Sequence, residues 1–326
     1  MNNLVGIAFV LFFVLLSAVN GVFLSAFLVE VDVFVTLLCV FTLIAVLFNA
    51  YTSWAHGRVY RRFSRQVWFY IGLSNLTTAG NWFGFFFAVK HLEPALSATL
   101  INSVLPLATI GIAIAMLGQR RSDSAELRSA VALMAAMLIT AGVVFSGQSS
   151  RPALAFGSYV FGVAMSLVCG ISMALNTVVA KKLNTLGVAP STIMAYRFFL
   201  LVLIAAALVD GPVLRANLQQ FYPQMLFIAI VGNLIPLFSL QLGIKRLSPV
   251  TVVFLNGLGP LAYFAAQIVS GLYAFSPASL ASILFASSVI CAGAYYSNRN
   301  PGASPRPGGR RPGESALSEG NTNNAA

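Results

Sequence analysis

Few side chains inside the apolar parts of this chain could do chemistry, and one of them is charged. Arg197 is the one Lys or Arg well inside an apolar stretch, about 10 Å along a helix from Pro190. A buried Arg costs about 2.5–3.5 kcal/mol on membrane-insertion scales, and it can bind a carboxylate or phosphate in a bidentate contact. Snorkelling to the interface and capping the carbonyls of a neighbouring helix are the structural alternatives.

Amide side chains recur in the same apolar stretches, where facing lipid would leave them without hydrogen bonds. We therefore expect them to face a polar cavity or to bond to neighbouring helices. Aromatic side chains beside them could stack on a ring-bearing substrate, although packing is the simpler role. The candidate substrate-binding residues are Asn20, Asn81, Trp82, Asn102, Asn176, Tyr196, Arg197, Asn233 and Asn256.

Three prolines, Pro106, Pro236 and Pro260, lie inside apolar stretches and predict helix kinks, because each removes a backbone hydrogen bond to the preceding turn. Asn102 and Asn256 each precede a proline by four residues. A kink beside an amide is a plausible element of a binding site, and a purely structural kink is the alternative.

The sequence lacks the catalytic motifs of known enzyme families. The eight carboxylates lie in loops, at the ends of apolar stretches or in the tail, and the chain has no HExxH, GxSxG or phosphate-loop motif. Cys39, Cys169 and Cys291 are far apart and lack metal-ligand spacing. We predict no catalytic residues, no metal and no cofactor. Because the sequence has no carboxylate inside an apolar stretch, we also expect that transport is not gated by a buried acid.

The composition indicates an integral membrane protein. The 326 residues are 58% hydrophobic and only 8% charged, with a mean hydropathy of +0.86. So few charges could not cover a folded surface in water, whereas lipid accepts an apolar exterior. The net charge of +11 does not indicate nucleic-acid binding, because the basic residues fall in short groups between apolar stretches.

Ten apolar stretches approach the length of about 20 residues that a membrane-spanning helix needs. With the N-terminus inside the cell, 15 of the 19 Lys and Arg residues lie in inner loops or the C-terminal tail, and three lie outside. The predicted fold class is an all-α membrane protein with both termini cytoplasmic. The ten predicted spans are Leu4–Leu28, Val33–Ser53, Val67–Val89, Pro94–Leu117, Ser129–Ser146, Phe156–Val179, Pro190–Val209, Pro223–Ile244, Pro249–Gly271 and Pro277–Ser297.

An internal repeat relates the two halves. The pattern K-x-L-x-P followed by N-x-x-x-P-L begins at Lys90 and again at Lys245, five predicted spans later. Because five is odd, the second half enters the membrane from the opposite side, as in the inverted repeats of secondary transporters. We expect repeats at residues 1–150 and 151–298, and a disordered basic cytoplasmic tail at 299–326, where Gly, Pro, Ser and Asn dominate.

The order of these motifs resembles the EamA-type branch of the drug/metabolite transporter superfamily. The segments that carry the resemblance begin at Phe85, Gly170, Pro190 and Gln241, and it extends over residues 4–297. The family's second span often carries Arg-Phe, as the seventh does here at Arg197, but the second span of this chain has no basic residue. The resemblance implies transport of small metabolites, often export of amino acids or related compounds, and a cavity between the repeats.

The sequence therefore predicts a secondary transporter that exports a small metabolite across a bacterial-type plasma membrane. Its expected partners are a small-molecule substrate and the lipid bilayer, and whether it forms a homodimer stays open. A sugar-phosphate or nucleotide-sugar exchanger is one alternative, which further basic residues facing the cavity would favour. A non-transporting scaffold or sensor is the other, and it predicts no polar residues converging between the repeats.

Overall fold

A computed structural model describes residues 2–57, 63–117, 124–148 and 155–299, and within these ranges the chain is helical with no β-strand. The predicted tail, apart from Arg299, and most basic residues of the first two inner loops lie outside the described residues. The helices are α1 (Asn2–Glu30), α2 (Val33–His56), α3 (Arg65–His91), α4 (Pro94–Leu117), α5 (Ser124–Phe145), α6 (Phe156–Thr185), α7 (Pro190–Tyr196), α8 (Phe199–Leu208), α9 (Gly211–Phe227), a π-helix (Ile228–Leu234), α10 (Ile235–Arg246), α11 (Pro249–Asn256), α12 (Gly259–Ser270) and α13 (Pro277–Arg299).

Six of the described helical runs are long and apolar enough to cross a membrane. They are α1, α2, α6, the run α7–α8, the run from α9 to α10, and the run α11–α12. Shorter apolar segments lie in α4, α5 and α13. These lengths and compositions indicate an integral membrane protein. The 27-residue α3 is long enough but less apolar, and many of its polar side chains, such as Ser74, Thr77 and Thr78, are buried among other helices.

Three helical runs in the second half are interrupted, whereas α1, α2, α3 and α4 run without a break. The α7–α8 run bends at Arg197 and Phe198, the α9–α10 run passes through the π-helix, and the α11–α12 run breaks at Gly257 and Leu258. Two of the predicted kinks coincide with these irregularities, because Pro236 follows the π-helix and Pro260 begins α12.

The sequence-based boundaries need two corrections. Pro106 lies inside α4, which runs unbroken from Pro94 to Leu117, so this proline does not interrupt its helix. The eighth apolar stretch was predicted to begin at Pro223, but its helix begins twelve residues earlier at Gly211, with Pro212 in the first turn. Proline is tolerated there because the N–H groups of a first turn have no partner within the helix.

The packing of α6 against α3 and α4 depends on glycines. A Cβ at Gly84 would lie 2.8 Å from the backbone of Met165 and Cys169 in α6. A Cβ at Gly170 would lie 2.7 Å from the carbonyl oxygen of Ile101 in α4. These approaches are too close for any side chain, so glycine lets the backbones pack directly. In the largest buried cluster of the described residues, Phe41 of α2 packs against Phe86 of α3 and against Phe198 at the bend before α8.

Candidate substrate cavity

A cavity of about 100 Å³ lies in the middle of the bundle. At about 10–15 Å³ for each water position, it has room for about seven to ten waters or a small metabolite. Its walls come from α1, α3, α4, α6, the π-helix, α10, α11 and α12, with Arg197 entering at the bend between α7 and α8. Eight of the nine predicted site residues line it, namely Asn20, Asn81, Trp82, Asn102, Asn176, Arg197, Asn233 and Asn256.

Arg197 is buried, with 5% of its surface exposed. Its Nε donates to Thr78 Oγ1 at 3.0 Å, its Nη1 lies 3.9 Å from Met194 Sδ, and its Cζ lies 5.3 Å from the centre of the Phe198 ring. None of these contacts is with a backbone carbonyl of a neighbouring helix. No carboxylate among the described residues pairs with it. The positive charge is therefore held at the cavity by a hydroxyl and a ring.

The bend that places Arg197 is fixed by amides from the first half. Asn75 in α3 donates from Nδ2 to the Tyr196 carbonyl at 2.6 Å and accepts at Oδ1 from the Leu200 N–H at 3.1 Å. Asn49 in α2 donates to the Ala195 carbonyl at 2.7 Å. Backbone groups freed at a bend must find such partners, because lipid offers none. Sequence reasoning missed Asn49 and Asn75, although both are amides inside apolar stretches.

The π-helix brings two of the cavity amides together. Asn233 Nδ2 donates to the Ile228 carbonyl, five residues back, at 2.8 Å. The carboxamide of Asn20 in α1 lies so close to Gly232 that a Cβ there would overlap its oxygen. Gly232 therefore lets α1 approach the π-helix with a polar side chain between them. π-helical turns are rare and frequently occur at functional sites.

Several of the cavity's polar atoms have no hydrogen-bond partner in the described part of the chain. Asn102 donates to the Ala98 carbonyl at 2.8 Å, but its Oδ1 is unpaired. Asn20 and Asn176 each have an unpaired Oδ1, and Asn256 has neither of its amide atoms paired. The Trp82 Nε1 is likewise unpaired. Each such group costs about 1–3 kcal/mol unless something else bonds to it.

The remaining predicted residues are placed differently. Asn81 accepts a hydrogen bond at Oδ1 from the Cys169 thiol at 3.3 Å, so part of its amide bonds between helices. Tyr196 does not line the cavity, and its ring packs against Phe63 and Trp68. Consecutive helical residues point about 100° apart, so Arg197, and not its neighbour Tyr196, occupies the inward position at this cavity.

Glu93, at the α3–α4 junction, closes one end of the cavity region. It is only 1% exposed, accepts from Gln267 Nε2 of α12 at 3.1 Å, and lies 3.3 Å from Ser279 Oγ of α13. Gln267 Oε1 also accepts from the Ala95 N–H at 2.6 Å. Glu93 lies between two predicted spans, as the sequence indicates, but it is buried, so the absence of a buried acid on which the ungated-transport prediction rested does not hold. This network joins the two halves at the predicted outer end.

At the other end, α1 and α6 hold α10. Ser239 Oγ donates to the Phe9 carbonyl at 2.8 Å. Lys181 Nζ bonds to the carbonyls of Ile244, Lys245 and Leu247 at 2.7–3.2 Å, which caps the C-terminus of α10 with a cation. The cavity therefore lies between two sets of polar contacts.

Among the described residues, no cluster of three His, Cys, Asp or Glu side chains could hold a metal.

No family model matches the chain, and no curated protein matches it either. Chains of solved structures do share its fold. One crystal structure, described only as that of a protein, superposes on 92% of this chain and 98% of its own length. The TM-score is 0.60 and the sequence identity is 18%, so the likeness concerns the fold alone.

Proposed function

We propose that this chain is a secondary transporter that exports a small metabolite, an amino acid or a related compound, across a bacterial-type plasma membrane. The observation that carries the proposal is the cavity, whose walls combine six amides with one arginine that has no carboxylate partner among the described residues. An integral membrane protein without a ligand to bind gains nothing from unpaired polar atoms in its core, since each one lowers stability. This argues against a scaffold or sensor.

The proposed architecture is ten spans in two inverted repeats, as in the EamA-type transporters that the sequence resembles. Each of the ten predicted spans overlaps a helical run of the described chain, and six of these runs are long and apolar enough to cross a membrane. The packing also supports the repeat, because α3 and α4 pack on α6 while α10 and α11–α12 pack on α1. Exchanging the two halves interconverts these contacts. The cavity walls come from spans 1, 3 and 4 of the first half and from spans 6, 8 and 9 of the second.

Alternating access would then consist of rocking between the halves. In the described structure, the Glu93 network joins the halves at one end, and the contact between Ser239 and Phe9 joins them at the other. Each is a set of one to three hydrogen bonds, individually worth about 0.5–3 kcal/mol. Contacts of this size can be broken in turn at each step. A phosphate exchanger is less favoured, because Arg197 is the one charged residue in the described lining.

The proposal is tested by overexpressing the protein in bacterial cells and profiling small molecules in the spent medium. The controls are an empty vector and a variant with Gln219→Leu, an exposed amide on α9 that is not among the residues lining the cavity. We expect one class of compound to accumulate with the wild type and the control variant. The same accumulation should be lost with Asn256→Leu, which fills part of the cavity. An unchanged medium despite good expression would contradict export.

A further inference from the structure

Glu93 is a buried acid that joins the two halves at the predicted outer end. Its Oε1 accepts from Gln267 Nε2 of α12 at 3.1 Å, and its Oε2 accepts from Ser279 Oγ of α13 at 3.3 Å. Gln267 can only donate to Glu93, because its own carbonyl oxygen accepts from the Ala95 N–H at 2.6 Å. Both oxygens of the carboxylate are therefore acceptors for donors from the second half.

The equivalent junction of the second half has a serine at this position. In the repeated pattern K-x-L-x-P, Glu93 corresponds to Ser248, which is exposed. Ser248 Oγ accepts from the Thr251 N–H at 3.1 Å and so caps the start of α11. Serine is among the best residues for such a cap, so starting a helix at this junction needs no acid. Because burying a carboxylate costs far more than burying a hydroxyl, Glu93 must have a role that depends on its charge.

A second contact at the outer end has a counterpart at the inner end. Ser25 Oγ of α1 donates to the Val89 carbonyl in the last turn of α3 at 2.6 Å. Lys181 Nζ of α6 donates to the Ile244 carbonyl in the last turn of α10 at 3.2 Å. Val89 and Ile244 are equivalent in the repeat, since each directly precedes its lysine. The outer end therefore has a neutral contact like that of the inner end in position, and the Glu93 network in addition.

We propose that Glu93 is a proton-binding site that controls the outer end of the cavity, which opens when the carboxylate takes up a proton from the water outside. A proton on Oε1 would face the Gln267 N–H, which cannot turn away, and a proton on Oε2 would displace the hydrogen that Ser279 donates. Either proton also removes the negative charge that strengthens both bonds. The open state then gains population, and return of the proton to the water restores the closed one. This inference rests on the proposed function and names its regulation.

Other titratable groups lie on the elements that meet at this junction. Among the described residues they are Lys90 and His91 at the end of α3, Tyr159 near the start of α6, Tyr273 after α12 and Glu30 at the end of α1. Arg151, between α5 and α6 in sequence, lies outside the described residues. Histidine is the side chain that ordinarily titrates between pH 5 and 8, so His91 needs its own control.

The test labels a cysteine placed just inside the outer end. Ala98 is 3% exposed and lines the cavity one turn into α4. Ala98→Cys is introduced into the full-length protein after its three native cysteines are replaced by alanine. A membrane-impermeant maleimide is added to intact cells, so it reaches the new thiol only through the outer end. Leu272→Cys is the matched reference, because Leu272 is 58% exposed after α12 and the reactivity of any thiol falls as the pH falls.

We expect the labelling rate at position 98, relative to that at position 272, to rise at least about fivefold when the outside pH falls from about 8 to about 5. Glu93→Gln resembles the protonated acid, so it should give fast labelling at every pH. Ser279→Ala should raise the rate at high pH by less and keep part of the pH response, which decides the result if Glu93→Gln fails to fold. His91→Gln should leave the response unchanged.

The inference is overturned if the relative labelling rate does not depend on pH, if Glu93→Gln keeps the pH response or is labelled slowly at every pH, or if His91→Gln abolishes the response. Its failure differs from failure of the proposed function, because labelling needs no substrate. Export into the spent medium without a pH-dependent outer end would leave transport standing and refute the proton site. A pH-dependent outer end without export would support the site and count against the proposed function.

Discussion

Two segments with the same residue pattern fold differently in this protein. In α4, Asn102 and Pro106 lie in one unbroken helix, and Asn102 donates to the Ala98 carbonyl. In the other segment, Asn256 ends α11, Pro260 begins the next helix, and the Asn256 amide has no partner among the described residues. The residues between explain the difference: α4 continues through Ser-Val-Leu, whereas α11 meets Gly-Leu-Gly. Two glycines lower helix stability by about 1 kcal/mol each.

The unbroken and the broken helices also differ in the contacts that hold them in place. The unbroken α3 and α4 pack on α6 through glycines that admit the neighbouring backbone. The broken runs leave backbone groups to be satisfied by side chains, as Asn75 does at the bend near Arg197. The unbroken helices therefore provide the frame together with the amides of the first half and of α6, whereas the broken runs provide Arg197, Asn233 and Asn256. Variants should separate these two contributions.

The largest effect is expected from Gly84→Leu, in the frame. The new side chain would meet the backbone of Met165 and Cys169, which cannot move aside as a side chain can. We expect a loss of about 3 kcal/mol or more in the free energy of unfolding, the upper range for overpacking. Thermal unfolding and the yield of monodisperse protein in detergent measure it. Gly72→Leu on the same helix is the control, because its Cβ would point into open space. Equal losses for both variants would refute the close-packing argument.

Asn75→Leu should have the next largest effect, because it removes the clamp across the α7–α8 bend. The Tyr196 carbonyl and the Leu200 N–H would lose their partner, which costs about 2–3 kcal/mol in total after partial relaxation. Arg197 would also lose its fixed position, so export should fall further than stability alone explains. Export is measured per folded molecule, beside Gln219→Leu. Full export from a destabilised variant would show that the bend does not position Arg197.

Much of this arrangement is predictable from the sequence. Apolar length predicts the helical runs. The cost of burying an amide predicts side chains that face other helices or a polar cavity, and Asn20, Asn102, Asn176 and Asn256 all line the described cavity. The bend at Arg197 could not be predicted, because no Pro or Gly marks it. It exists through contacts with Asn49 and Asn75, more than 100 residues away in sequence. The burial of Glu93 likewise depends on Gln267 and Ser279 from the other half.

Replacing the two equivalent prolines should affect different properties, namely stability at Pro106 and export at Pro260. Pro106→Ala lets α4 gain a backbone hydrogen bond to the Asn102 carbonyl, so we expect the Tm to rise with little change in export. Pro260→Ala favours joining α11 to α12, which would remove the helix ends at the cavity, and export should fall several-fold. Both variants are compared by thermal unfolding and by export per folded molecule. The same response from both would mean that the break does not matter to function.

The smallest changes in stability are expected at the two equivalent amides, Asn102 and Asn256. Replacing them distinguishes a role in binding from a role in folding most clearly. Asn256→Ala removes two unpaired polar atoms, so the free energy of unfolding should rise by about 1 kcal/mol while export falls. Asn102→Ala removes a side chain that bonds to its own helix, so its stability should change less. A gain of stability with a loss of export is typical of residues kept for binding. If Asn256→Ala instead lowers stability, the Asn256 amide has a structural role. The two segments would then differ in conformation while both serve to stabilise the fold.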